Sequence, residues 1–146
     1  MSADLSLFPE LSDKEIQRRA DVLRWQYYDA NGLEEQFPIP VEVIAEQHLG
    51  YAIDILDDGL FSDPDYLGGI IFDQHVIQVN ATVEAHEGRY NFTLAHEIGH
   101  HVLHREIYLD ARGTEPCDIM CRETGEKPLV EVQADRFAAA LLMPAH

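Results

Sequence analysis

The chain has 146 residues, of which 46% are hydrophobic and 25% charged, as in a soluble globular domain rather than a disordered or fibrous chain. Its net charge of −17 at pH 7 disfavours direct binding to nucleic acid, because acidic side chains repel phosphate. The sequence has no apolar run of the roughly 18 residues that a membrane span needs, and no signal peptide pattern. We therefore expect one cytoplasmic domain over residues 1–146, without contacts to nucleic acid or membrane.

Two helices are predicted in the first third of the chain. Ser12 and Glu15 form a capping box before an apolar face with helical spacing, and Asn31 and Gly32 end this helix. A second, shorter helix is predicted over residues 40–50, after an extended spacer. We expect the aromatic side chains of the first helix to pack it onto a sheet; these are Trp25, Tyr27 and Tyr28.

The middle of the chain is predicted to form strands. Residues 51–55 form one, and residues 68–72 and 76–79 form a hairpin that turns at Asp73-Gln74. The segment 57–66 contains Gly59 and Pro64 and is predicted as a loop. Either hairpin strand could be an exposed edge that holds a peptide substrate in extended form.

The last third is predicted as two helices joined by a long loop. The helical period runs from about Asn91 through Leu103, and again from Leu129 to Pro144. The polar segment 105–128 between them is predicted as a loop, which at this length is more often functional than idle. Its two cysteines, Cys117 and Cys121, are predicted to be reduced thiols rather than a metal-binding or redox pair. The predicted fold class is α+β, a small, mostly antiparallel sheet packed on helices.

The first of these two helices carries the pattern His96-Glu97-x-x-His100. Residues four apart lie on one face of a helix, so both imidazoles can reach one metal ion. Glu97 lies about 100° around the helix, where it could take a proton from an activated water and pass it to a leaving amine. The alternative is a surface helix that carries two histidines by chance, which the apolar neighbours Leu94 and Ile98 disfavour.

A catalytic zinc usually has three protein ligands. Glu106 is about 15 Å from His96 along a continuous helix, which is too far. Glu131 at the start of the last helix is the better candidate, although an acidic residue there would also suit the helix dipole without any metal. Asp135, one turn later, could accept the free N–H of a ligand imidazole.

Two blocks of this sequence resemble the ImmA/IrrE metallopeptidases: TLAHEIGH over residues 93–100 and EVQADRFAAALLMP over residues 131–144. The resemblance extends over about residues 20–144 and implies a zincin-like domain. It implies His96, His100 and Glu131 as metal ligands and Glu97 as general base. Relatives of this kind are implied to cleave helix-turn-helix repressors. Many extend beyond the Met-Pro pair, so the chain is either a short member or the protease domain of a longer one.

We therefore expect a zinc-dependent endopeptidase, with Mn²⁺ and Fe²⁺ as the other candidate metals. Its substrate is expected to be a basic DNA-binding repressor, which the acidic surface would attract. Two other functions remain open at this point. One is a metal-binding regulatory module that binds a repressor without cleaving it, and the other is a structural interaction domain with an empty site.

Several other residues are candidates for supporting roles. His104 shares the helix face of His100 but is about 12 Å from His96, so we expect packing or a hydrogen bond rather than ligation. His101 is expected to be exposed. Tyr108 is a candidate oxyanion donor, although an ordinary loop aromatic is the stronger interpretation. The isolated histidines are expected at the surface or in loops; these are His48, His75 and His86.

Overall fold

The computed structural model describes residues 9–56, 66–112, 118–122 and 129–143. The helices in these ranges are α1 Asp13–Ala30, α2 Val41–Val43, α3 Ala81–Glu84, α4 Glu87–Leu103, α5 Arg105–Arg112 and α6 Leu129–Leu142. The strands are β1 Ala52–Leu56, β2 Tyr66–Ile71, β3 Val76–Asn80 and β4 Asp118–Arg122. α2 continues as a π-helical turn over Ile44–His48. None of the helices in the described ranges combines the length and apolar character needed to cross a membrane.

The capping box places the start of α1 where the sequence predicts it. The backbone N–H of Glu15 donates to Ser12 Oγ at 3.1 Å, and the helix ends before Gly32, which has a φ of 64°. α1 packs on α6 rather than on the sheet, and buried Arg24 donates to the carbonyl of Ala140 at 2.8 Å. The prediction that Trp25, Tyr27 and Tyr28 pack α1 onto a sheet is therefore wrong. Tyr27 and Tyr28 are buried, whereas Trp25 lies on the outer face of α1 and is 66% exposed.

The sheet has the strand order β1-β3-β2-β4. β2 is antiparallel to both β3 and β4, whereas β1 runs parallel to β3, so the predicted mostly antiparallel sheet is confirmed. The proposal that either hairpin strand is an exposed edge is wrong. β2 and β3 are each paired on both sides, so their backbone groups are already used, and within the described ranges the edges are β1 and β4.

The segment 105–128 is not a continuous loop. It contains α5, in which Tyr108 is buried with its ring edge-to-face against Phe72, and it contains β4, which pairs with β2. Its remaining residues, Cys117 among them, lie outside the described ranges. The predicted loop over residues 57–66 also lies outside them except for Tyr66, which is not in a loop but begins β2. α4 also begins earlier than predicted, at Glu87, because the carbonyl of His86 already accepts the N–H of Tyr90.

α4 is the central helix of the fold and contacts β2, β3 and α6. Two glycines permit its close packing. A Cβ at Gly68 in β2 would lie 3.0 Å from the Thr93 side chain of α4, and one at Gly99 in α4 would lie 3.2 Å from the Cα of Ala134 in α6. As a result, every residue from 93 to 100 is buried, and α4 meets α6 directly rather than across an open cleft.

Candidate metal centre

The packing of α4 on α6 brings together two imidazoles and one carboxylate. The Nε2 atoms of His96 and His100 are 3.2 Å apart. Oε2 of Glu131 is 3.0 Å from His96 Nε2, and Oε1 of Glu131 is 2.9 Å from His100 Nε2. All three residues are buried, and they form a group able to hold a metal ion. The three predicted ligands therefore meet at one point.

The separations between these donor atoms fit a divalent ion. A tetrahedral ion with bonds of about 2.0–2.1 Å keeps its ligand atoms roughly 3.3 Å apart, which is close to the observed triangle. Glu131 Oε1 is also buried without a hydrogen-bond partner among the described residues, although His100 is adjacent. A buried acceptor that faces other acceptors is costly unless a cation lies between them. Imidazole nitrogen and carboxylate oxygen are ligands common to Zn²⁺, Mn²⁺ and Fe²⁺.

The ionisation of these ligands also suits metal binding. Burial raises the pKa of Glu131, but the nearby imidazoles of His100 and His96 outweigh this and hold that pKa well below its usual range. Burial lowers the pKa of His100, although Glu131 opposes this shift. The two shifts favour the forms that bind a metal, an ionised carboxylate and a neutral imidazole.

Asp135 lies where the sequence predicts it, one helical turn after Glu131. Its Oδ1 is 2.7 Å from His96 Nδ1. Because an ionised carboxylate only accepts hydrogen bonds, Nδ1 of the neutral imidazole carries the proton and Nε2 presents its lone pair to the other ligands. Asp135 therefore lies where it could hold His96 in the tautomer that binds a metal.

Glu97 lies beside the ligand group and is fully buried. Neither of its carboxylate oxygens has a hydrogen-bond partner among the described residues. Burial raises the pKa of Glu97 to about 8; His96 opposes this shift, while Glu131 and Asp135 add to it. A buried carboxylate without a partner is destabilising for the fold, so its presence here is best explained by chemistry.

The two other histidines at the end of α4, one in its last turn and one capping it, differ in their surroundings. His104 is buried, with Nδ1 at 3.0 Å from His100 Nδ1, so the predicted hydrogen-bonding role is confirmed. The prediction that His101 is exposed is wrong. Its ring is half-buried against Tyr51, whose hydroxyl is 2.7 Å from His101 Nδ1, and burial lowers the pKa of His101 to about 4.

One buried polar residue next to this site, Gln133, was not predicted from the sequence. Gln133 is fully buried in α6, and its Oε1 is 2.8 Å from His104 Nε2. The signal was a polar residue on a face that is otherwise apolar, next to Val130, Ala134 and Phe137. Glu106, excluded by its distance along the helix, is exposed on α5.

The comparison with protein families agrees with this geometry. Residues 57–146 match peptidase family M78, described as the IrrE N-terminal-like domain. The match covers more than half of the chain and includes His96, Glu97, His100 and Glu131. The chain therefore belongs to this family of metallopeptidases, and its mixed α+β architecture is a zincin-like domain. A search of curated proteins gave no match.

Proposed function

We propose that this protein is a zinc-dependent endopeptidase that hydrolyses a peptide bond in a protein substrate. The observation that carries the proposal is the buried carboxyl group of Glu97, which has no hydrogen-bond partner in the described part of the chain and adjoins three converging candidate metal ligands. Membership of a metallopeptidase family supports the same reaction class. A domain with a purely structural role would gain stability by replacing Glu97 with an apolar residue.

Each residue of the site has a defined role in this reaction. His96, His100 and Glu131 would hold the ion, which when bound supplies Lewis-acid activation of water and of the scissile carbonyl. Glu97 accepts the proton that the attacking water loses and gives it to the nitrogen of the leaving amine. Asp135 keeps His96 in the tautomer that binds metal. The surrounding apolar residues exclude bulk water, which strengthens every charge interaction in the site.

We propose a basic, DNA-binding helix-turn-helix repressor as the substrate. The net charge of −17 supports a basic partner, because opposite charge accelerates encounter between two proteins. The resemblance to proteases that cleave such repressors supports the same class. Charge complementarity favours association in general and does not select the bond that is cut.

The direct test uses Glu97→Gln, which preserves the shape of the side chain but removes its basicity. The full chain, loaded with one equivalent of Zn²⁺, is incubated with purified helix-turn-helix repressors, and the products are measured by intact mass. We expect two fragments whose masses add up to the repressor plus one water. Glu97→Gln should retain the metal and lose at least about 100-fold in rate, as expected for the loss of a general base.

The matched control is Glu42→Gln, a substitution of an exposed glutamate that contacts Tyr90 rather than the ligand group. It should cleave at the native rate. Full activity in Glu97→Gln would contradict the mechanism. Repressor that is bound by the metal-loaded protein but never cleaved would contradict the peptidase proposal and would instead indicate a regulatory binding module.

A further inference from the structure

A chain of hydrogen bonds connects the ligand His100 with the backbone ahead of α1. His100 Nδ1 is 3.0 Å from His104 Nδ1, His104 Nε2 is 2.8 Å from Gln133 Oε1, and Gln133 Nε2 is 3.0 Å from the carbonyl oxygen of Pro9. We propose that His104 and Gln133 are positioning residues that hold His100 in the tautomer whose Nε2 lone pair faces the metal. The proposal rests on metal binding by His100, and not on proteolysis.

The direction of every hydrogen bond in this series follows from its last acceptor, the carbonyl oxygen of Pro9. The carbonyl of Pro9 can only accept, so the amide nitrogen of Gln133 must face it. Gln133 Oε1 then faces His104 and can only accept, so His104 Nε2 must donate. A neutral imidazole that donates from Nε2 has its lone pair on Nδ1. His104 therefore accepts from His100, which carries its proton on Nδ1 and leaves Nε2 free for the ion.

The opposite direction leaves buried groups in conflict. If the Gln133 amide were turned around, its oxygen would face the oxygen of Pro9. A doubly protonated His104 would bury a positive charge in this series of hydrogen bonds, which the loss of solvation opposes. Both histidines and Gln133 are almost completely buried, so water relieves neither problem. With both histidines neutral, only one arrangement of protons satisfies every hydrogen bond of the series.

The two proposed histidine ligands are thus oriented by hydrogen-bond acceptors of different kinds. His96 is hydrogen-bonded to the carboxylate of Asp135, which is partly exposed. His100 is hydrogen-bonded to His104, which is buried and is itself bonded to the buried amide of Gln133. A neutral support adds no further negative charge to a site that already contains the carboxylates of Glu131 and Asp135. It also makes the ligand geometry depend on the segment around Pro9, which no simple spacing rule associates with the metal.

The first test reads the tautomers directly. The full chain is labelled with ¹⁵N-histidine, and long-range ¹H–¹⁵N correlations are recorded with and without Zn²⁺. We expect His104 to be protonated at Nε2 in both states, and His100 to be protonated at Nδ1 when zinc is bound. A proton on Nδ1 of His104 in either state would overturn the proposal. This measurement needs neither cleavage nor a variant, so it decides the proposal even if the protein proves not to be a peptidase.

The second test measures Zn²⁺ affinity by competition with a chromophoric chelator. His104→Leu removes the acceptor for His100 and should weaken zinc binding about 10–100-fold, the usual effect of losing such a support. His104→Asn should restore most of the affinity, because its side-chain oxygen can lie near the original Nδ1. The control is His101→Asn, in the same turn of α4 but hydrogen-bonded to Tyr51, which should bind zinc as the native protein does.

Native affinity in a folded His104→Leu would overturn the proposal, as would a loss in His104→Asn as large as in His104→Leu. If the leucine variant fails to fold, the tautomer measurement on the native chain still decides. If the native chain binds no zinc, the proposed function fails, while the metal-free spectrum still tests the direction of the hydrogen bonds.

Discussion

At the scale of single residues, the site is a set of acceptors whose repulsion a cation would relieve. Two imidazoles and the carboxylate of Glu131 converge within about 3 Å, and Glu97 adds a second buried carboxylate nearby. Within this set, His96 and His100 follow from local spacing, because residues four apart on a helix share a face. Glu131 lies on a separate helix, so the sequence indicated it only as the better third ligand and by the family resemblance. Spacing could not show that His101 is covered by Tyr51 or that Trp25 lies on an outer face, since both depend on which element packs next to them.

Asp135 provides a test at this scale. Replacing it with leucine removes the acceptor of His96 Nδ1–H, so Zn²⁺ affinity should fall about 10–100-fold, and Asp135→Asn should lose less because its oxygen still accepts. The measurement is chelator competition. Asp13→Asn is the control, since Asp13 pairs with Arg136 at the surface. Equal affinities for the native and Asp135→Leu proteins would show that Asp135 does not support the ligand.

At the scale of elements, the site depends on how closely α4 approaches α6. The sequence predicts both helices, because apolar periodicity marks an inner face. Gly99 lies on that face and permits the close contact. The sequence does not predict α5 or β4. β4 is stabilised by pairing with β2, about fifty residues earlier in the chain, and such long-range pairing leaves little local signal. Because the pairing of β1 and β4 with the hairpin is not visible in the local sequence, either hairpin strand could be mistaken for an edge of the sheet.

Gly99→Ala tests this contact. The new Cβ would lie 3.2 Å from the backbone of Ala134 and from Phe137 Cβ, which are rigid parts of α6. We expect overpacking to lower the free energy of unfolding by about 1–3 kcal/mol, partly offset by the better helix propensity of alanine. Zn²⁺ affinity should fall as well, since Glu131 moves with α6. Denaturant unfolding and chelator competition measure the two effects.

The matched control is Gly88→Ala in the first turn of α4, where a Cβ would meet no atom within 4 Å. This variant gains helix propensity in the same way, by up to about 1 kcal/mol in the free energy of unfolding. Its new Cβ does not press on a neighbouring element. The difference between the two variants isolates the packing contribution. If Gly99→Ala were as stable as Gly88→Ala and bound zinc equally well, the close contact would not be what positions Glu131.

At the scale of the whole molecule, the large negative charge concerns encounter rather than fold. A net charge of −17 acts over about one Debye length, so its effect on a basic partner depends on ionic strength. The choice of substrate and of the cleaved bond is not encoded in composition, because specificity depends on surface details that the total charge does not contain. The family and the reaction class, by contrast, follow from residues that are close together in the sequence.

The association rate with a helix-turn-helix repressor should therefore fall as salt increases. Raising NaCl from about 0.05 M to 0.5 M should slow association about 10-fold or more while changing dissociation much less, because steering acts before contact. Stopped-flow measurements with the Glu97→Gln variant avoid cleavage during the experiment. An association rate that does not change with salt would remove the proposed role of the acidic surface.

The central claim is that α4 and α6 together bind one divalent ion, and metal content tests it most directly. The full chain without an affinity tag is equilibrated with excess Zn²⁺, freed of unbound metal by gel filtration and analysed by elemental mass spectrometry. We expect about one zinc ion per chain in the native protein and in Glu97→Gln, and almost none in His96→Ala or Glu131→Ala. A native chain that retains no zinc would contradict this claim, as would a folded Glu131→Ala variant that still retains about one zinc ion per chain.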